Sequence, residues 1–175
     1  MITRKALRSE CLAISEIAKE TYSEFFGESL KKDELQTHLA EKKSEAYFQL
    51  CYDTDMLLVA ELNNKIIGYL QVCEMNLRTK DFNAIPLGQL INAVYVKDEF
   101  QKMGTANALI TLALKSKRVA KSPCIYVDVW EENIGAIRLY KKFGFSEVGK
   151  CELVIGERVT GEDLVLVKMQ KLSYA

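Results

Sequence analysis

Gln101-Lys102-Met103-Gly104-Thr105-Ala106 stands between an apolar run, Gln89 to Val96, and a helical pattern, Met103 to Val119. The run before it reads as a buried strand. In the pattern after it, Ala108, Leu109, Leu112 and Ala113 fall on one helical face. A strand-to-helix junction of this kind points several unpaired backbone N–H groups outward, with the positive end of the helix dipole behind them. That is an anion site, and Gly104 lets a phosphate approach the backbone without meeting a Cβ. Lys102 adds charge. No Gly-Lys-Ser/Thr follows, so the loop is not a Walker A loop, and it lacks the three glycines of a dinucleotide-binding turn.

A second stretch, Val129-Trp130-Glu131-Glu132-Asn133-Ile134-Gly135-Ala136-Ile137-Arg138-Leu139-Tyr140-Lys141-Lys142-Phe143-Gly144-Phe145, carries the other half of the reading. Asn133 is placed to cap a helix that Gly144 stops. Tyr140 lies two turns along that helix. A phenol with a pKa of about 10 is suited to donating a proton to a departing thiolate.

Outward from these two stretches the elements alternate without repeats. Ile2 to Arg4 reads as a short strand. A helix follows with Ser9 at its N-cap and Ile14, Ile17, Ala18, Thr21 and Phe25 at helical spacing, stopped by Gly27. Lys31 to Ser44 reads as a second, polar helix that puts the single histidine, His38, on the surface. Met56 to Leu62 and Lys65 to Cys73 form a hairpin about Asn63-Asn64. Asn76 to Gly88 reads as a loop, and Cys124 to Trp130 as another strand. Two last strands, near Glu147 to Ile155 and Leu164 to Met169, flank a turn at Glu157 to Asp163. The order βααβββαβαββ gives a mixed α/β architecture rather than a doubly wound sheet.

Composition narrows the function. The chain has 175 residues, 24 Lys plus Arg against 24 Asp plus Glu, and so no net charge. That excludes general nucleic-acid affinity, which needs a basic excess to displace counterions. No apolar run is long enough to span a bilayer and no h-region follows the basic N-terminus, so the expectation is a cytoplasmic protein without membrane contact. Five widely spaced cysteines with no Cys-x-x-Cys read as reduced thiols, with no disulfide framework and no metal site. A lone histidine also supports neither zinc ligation nor a Ser-His-Asp triad.

The first stretch resembles the pyrophosphate-binding signature of the GNAT acetyltransferases, Gln/Arg-x-x-Gly-x-Gly/Ala. The second, Asn-x-x-Ala-x-x-x-Tyr followed by Gly-Phe, resembles the later acetyl-CoA motif of the same superfamily. Order and separation agree, and the resemblance covers about Ile2 to Lys171. It implies one α/β (α+β) GNAT domain over residues 1–175, with a mixed, mostly antiparallel sheet of about seven strands and helices on both faces. It also implies an acetyl-CoA-dependent N-acetyltransferase, an enzyme without metal, and admits a homodimer.

Carried over residue by residue, the resemblance implies specific roles. Main-chain groups along Val94, Tyr95 and Val96 would bind the pantetheine arm and polarise the thioester carbonyl. Gln101, Lys102, Met103, Gly104, Thr105, Ala106 and Asn107 would form the pyrophosphate loop, with the amides of Lys102 to Asn107 as donors. Asn133 would hydrogen-bond near the thiol end, Tyr140 would protonate the leaving thiolate, and Lys142 would approach the adenosine 3′-phosphate. Relatives often carry a Glu as base where this chain has Asn92. Asparagine takes no proton, so the amine's proton must pass to another carboxylate, to a water chain, or be lost before attack.

For the acceptor, Thr21-Tyr22-Ser23-Glu24-Phe25-Phe26-Gly27, Val129-Trp130-Glu131-Glu132-Asn133 and Gly161-Glu162-Asp163-Leu164 look like the bacterial Pai-type spermidine/spermine N-acetyltransferases. Glu16, Glu20 and Glu24 form an i, i+4 stripe with Glu28 beyond it. Like charges at that spacing repel, so a polycation held by Glu24 and Glu28, with Asn92 beside it, would relieve a cost. A solvated face balanced by Lys19 accounts for the same stripe. The alternatives are a protein N-terminus or another small amine as acceptor, or a non-catalytic CoA sensor resting on Asn92 alone.

Overall fold

The chain divides into two compact units, Met1–Val72 with Ala93–Ala113 and Cys73–Asn92 with Leu114–Ala175. The computed structural model describes residues 1–28, 30–74, 87–155 and 158–170, the side chains of 155, 158 and 160 excepted.

In the first unit, β1 (Ile2–Lys5) leads through a 3-10 turn, Arg8–Glu10, into α1 (Cys11–Phe26). Ser9 lies inside that turn and caps nothing. The cap comes from Glu10, whose carboxylate reaches back to accept from the Leu7 amide at 2.7 Å. Helix α1 buries Cys11, Ile14, Ile17, Ala18, Thr21 and Tyr22. Phe25, expected on that face, is exposed, and Tyr22 takes the inward position.

The polar helix expected over Lys31 to Ser44 is α2 (Lys32–Lys42), and a further helix that the sequence reading does not place, α3 (Glu45–Thr54), follows it. Ser44 separates them: its hydroxyl accepts from the Tyr47 amide at 3.2 Å and caps α3. Helix α3 drops Phe48, fully buried, edge-on to Tyr69 at 5.5 Å. Then β2 (Met56–Leu62) and β3 (Lys65–Glu74) pair antiparallel about Asn63 and Asn64, both at positive φ (51° and 61°). This mirror-image turn matches the natural twist of the strands. The unit closes its core with Ala6, Ile14, Ala18, Phe48, Leu57, Val59, Tyr69 and Ala93.

The strand β4 (Gln89–Val96) changes units at Ala93. Where β3 meets its far half, a Cβ on Gly68 would stand 2.8 Å from the Tyr95 carbonyl, so only glycine fits there. Then α4 (Thr105–Lys115) begins the predicted long helix, which Ser116 interrupts. Its hydroxyl accepts from the Val119 amide at 3.3 Å and starts a separate turn, α5 (Lys117–Ala120), in the second unit.

The second unit pairs the near half of β4 parallel with β5 (Cys124–Trp130), from Gln89↔Ile125 to Ile91↔Val127. After α6 (Ile134–Lys142), β6 (Ser146–Ile155) and β7 (Arg158–Met169) form an antiparallel hairpin. The turn expected at Glu157 to Asp163 lies within strand from residue 158 onward, residue 157 falling outside the described residues: Asp163 pairs with both Cys151 and Trp130. Cys124, Tyr126, Val165 and Val167 form the core, with Leu90 from β4 and with Cys73 and Cys151 packed against it. All five cysteines are free thiols. The seven strands make one mixed sheet in the order β1-β2-β3-β4-β5-β7-β6. The loop expected at Asn76 to Gly88 falls mostly outside the described residues.

Candidate active site

In the first unit, the entry to α4 is built from two positive-φ residues, Lys102 (59°) and Gly104 (82°), around Met103. Alternating backbone of this kind can turn successive amides toward one side, the arrangement in which main-chain donors bind an anion. Among the described residues, the amides of Lys102 through Asn107 find no main-chain acceptor, and the first such bond is Ala108 N to Gly104 O at 3.0 Å. A Cβ on Gly104 would meet nothing within 4 Å, so space lies open over the backbone. Gln101, Lys102, Met103, Gly104 and Asn107 are exposed and Ala106 is half-buried. Open donors, a nearby cation and no side chain in the way are features that a diphosphate could use.

Thr105 is not a spare residue in this loop. It is 2% exposed, and its hydroxyl donates to the Phe100 carbonyl at 3.2 Å, tying α4 to the 3-10 turn Asp98–Phe100. Gln101 braces the same corner, donating from Nε2 to the Val96 carbonyl at 3.4 Å. Val94 and Tyr95 are half-buried and Val96 is buried, and Tyr95 packs on Tyr69 at 5.8 Å between centroids. Glu24 and Glu28 are exposed. The acidic stripe is broken in its middle, because Lys97 pairs with Glu20 at 2.8 Å.

Two features of this unit escaped the sequence. His38 is not a surface residue. It is half-buried, stacked on Tyr22 at 4.4 Å, and its Nε2 is buried with no hydrogen-bond partner among the described residues. Burial, with Lys43 and Lys42 nearby, lowers its pKa to about 4. Gln71 is buried in an apolar strand and donates to the Asp55 carboxylate (2.6 Å) and to the Tyr47 hydroxyl (3.2 Å). A polar residue between Leu70 and Val72 was the available signal for that network.

In the second unit, Asn133 is the N-cap expected of it: Oδ1 accepts from the Ala136 amide at 3.0 Å, which commits the oxygen but not the Nδ2 donor. The other end of α6 is a Schellman motif. Gly144 sits at φ 83°, its amide donates to the Lys141 carbonyl (3.0 Å), and the Phe145 amide donates to the Tyr140 carbonyl (3.2 Å). Phe145 also lies edge-on to Tyr140, at 5.5 Å. The Gly-Phe pair therefore clamps Tyr140, which is 5% exposed. Lys142 is exposed in the last turn, and Asn92 is exposed on β4. Among the described residues no cluster of three or more His, Cys, Asp or Glu could hold a metal ion. No described helix is long and apolar enough to cross a membrane.

Comparison with known proteins bears on the family and the fold. An N-alpha-acetyltransferase of Sulfolobus acidocaldarius is 30% identical over 62% of this chain and 65% of its own length. One from Sulfurisphaera tokodaii is 28% identical over 51% of this chain and 56% of its own. Among solved structures, PaiA N-acetyltransferase from Thermoplasma acidophilum in complex with coenzyme A superposes with a TM-score of 0.74 at 16% identity, covering 96% of this chain and 98% of that one. Arabidopsis thaliana NAA60 in complex with a bisubstrate analogue gives 0.71 at 18%, covering 98% and 99%. At such identities these two likenesses speak for the fold alone. The model of the acetyltransferase (GNAT) family matches residues 12–145. The chain belongs to that family of N-acetyltransferases, enzymes that take acetyl-CoA as co-substrate.

Proposed function

We propose that the enzyme transfers acetyl directly to a primary amine, with the donor's pyrophosphate on the amides of Lys102 to Asn107 and its pantetheine along Val94, Tyr95 and Val96. The observation that carries this reading is the run of open amides under Lys102 and Gly104. Acetyl-CoA supplies the activated acyl group as a thioester. Main-chain donors on β4 stabilise the charge that develops on the carbonyl oxygen. The Tyr140 phenol gives its proton to the departing sulfur, and the Phe145 clamp fixes its angle. Asn133 keeps Oδ1 on its own helix and offers Nδ2 to the pantetheine end. Lys142 meets the adenosine 3′-phosphate. Asn92 hydrogen-bonds the acceptor but cannot deprotonate it.

For the acceptor, the reading preferred here is an α-amine at a peptide N-terminus or another small amine. It is supported by the relatives named N-alpha-acetyltransferase and by the Lys97–Glu20 pair, which removes the middle carboxylate from the acidic stripe. The polyamine reading keeps one observation of its own: among the described residues, Glu24 and Glu28 are exposed and in no ion pair. The test is acetylation, read by product mass, of N-terminal peptides, small amines, spermidine and spermine. Peptide or small-amine turnover that survives the Glu24→Gln, Glu28→Gln double variant supports the first reading. Turnover confined to polyamines, with KM raised by the same variant, replaces it with the second.

A further inference from the structure

Lys43 follows α2 as its C-cap, and the Ser15 hydroxyl donates to its main-chain carbonyl at 2.6 Å, fixing it beneath α1. The residue is 8% exposed. Its Nζ lies 5.2 Å from the centre of the Tyr22 ring and 5.3 Å from that of Tyr95. Among the described residues no carboxylate pairs with it; the ion pairs of this unit are Arg4 with Glu10 and Glu61, Arg8 with Asp53, and Lys97 with Glu20. The groups around it are Tyr22 from α1, His38 from α2, Cys51 from α3 and Tyr95 from β4. Burial keeps His38 neutral and holds the Cys51 thiol protonated.

Taking an ammonium out of water is costly. Two ring faces return only part of that cost. The cation is left under-compensated, and burial draws its pKa down to about 8. A buried cation with aromatic walls and no counter-charge is a half-made anion site. It stands at the ring of Tyr95, in the stretch of β4 assigned above, with Val94 and Val96, to the thioester arm.

We propose that Lys43 recognises a carboxylate on the acetyl acceptor, so that the substrate is an amine with an acid group a few bonds away rather than a polycation. This rests on the reading that Val94 to Val96 hold the acyl donor. A free amino acid and an acidic peptide N-terminus share this chemistry, and the experiment separates them.

Steady-state kinetics would use matched pairs: peptides starting with Asp or Glu against Asn or Gln, and free amino acids against their carboxamides, with spermidine alongside. The wild-type enzyme should favour the acid member of one pair type at least tenfold in kcat/KM, and that pair names the source. Lys43→Met should erase the preference. Damage to folding or to acetyl-CoA binding would lower both members equally and leave their ratio intact. Equal use of acid and amide, a preference that survives in Lys43→Met, or spermidine ahead of both overturns the proposal. If no amine is turned over, the acceptor reading fails, and Lys43 is tested by binding alone. In protein with 13C-labelled lysine, the signal missing from Lys43→Met should titrate near 8 when free and well above that with an N-acetylated acid added. An unmoved titration overturns the proposal.

Discussion

Helices α4 and α6 both enter from a strand through a short polar turn, yet their N-termini are finished in opposite ways. Helix α6 satisfies itself: Asn133 bonds the Ala136 amide, and Gly144 with Phe145 closes the far end. Helix α4 spends its one buried hydroxyl, Thr105, backward on Phe100 and leaves the amides ahead of Ala108 open. A helix that caps itself is stable without a ligand and positions a side chain. One that withholds its cap keeps a dipole end and several donors for an anion. The difference lies in two or three residues at each terminus and not in the helical bodies.

Three tests bear on that contrast and a fourth on the packing beneath α1, from the largest expected effect to the smallest. Tyr140→Phe should lower kcat about 10- to 1000-fold with little change in acetyl-CoA affinity, as loss of a general acid does; rapid-quench or steady-state rates with full kcat would remove Tyr140 from the chemistry. Next comes a matched pair of glycines, at φ 82° and 83°. Alanine costs each about 1–2 kcal/mol of backbone strain, so melting temperatures should fall alike. Calorimetry should show acetyl-CoA binding weakened about tenfold, or roughly 1.4 kcal/mol, for Gly104→Ala and unchanged for Gly144→Ala. Equal affinities would mean that the α4 turn holds no phosphate.

Asn133 comes third, because its two side-chain atoms are separable. Asn133→Ala should lose about 1 kcal/mol of helix cap, a melting shift of about 2–4 °C at this chain length. Asn133→Asp should keep the cap and lose only the donor, weakening acetyl-CoA while leaving the melting point in place. The last test concerns pH. His38 has a folded pKa of about 4 against an ordinary value near 6.5. Protons therefore bind the unfolded chain more strongly, and stability present above about 6.5 drains away as the pH falls toward 4. Melting curves across that range should slope less in His38→Phe; an unchanged slope would place the titration elsewhere.

Much of the fold was legible because the signals were local. Met56 to Leu62, Gln89 to Val96 and Cys124 to Trp130 are observed with the bounds read from the sequence, since apolar runs flanked by turn residues leave a strand little freedom. Asn133 and Gly144 mark α6 for the same reason. The misses lay at serines. Ser116 caps a new turn inside the helix read over Met103 to Val119, and Ser44 caps α3, which the sequence reading does not place; a hydrophobic pattern runs through a serine without marking it as a start. The hairpin of β6 and β7 was underestimated because Gly161 and Glu162 look like turn residues until Leu153 and Glu152 pair with them.

The sequence by itself determined the family and the order of elements around the α4 turn, and it singled out the turn proposed for a phosphate, because those properties belong to neighbours along the chain. Only the tertiary structure decided the fate of Lys43, His38 and Glu20. Nothing within a few residues of Lys43 announces that its ammonium will lie between Tyr22 and Tyr95, or that Lys97 will take Glu20 out of the acidic stripe. Charge and burial at a point in space depend on groups far apart in the chain, and it is packing that brings those groups together.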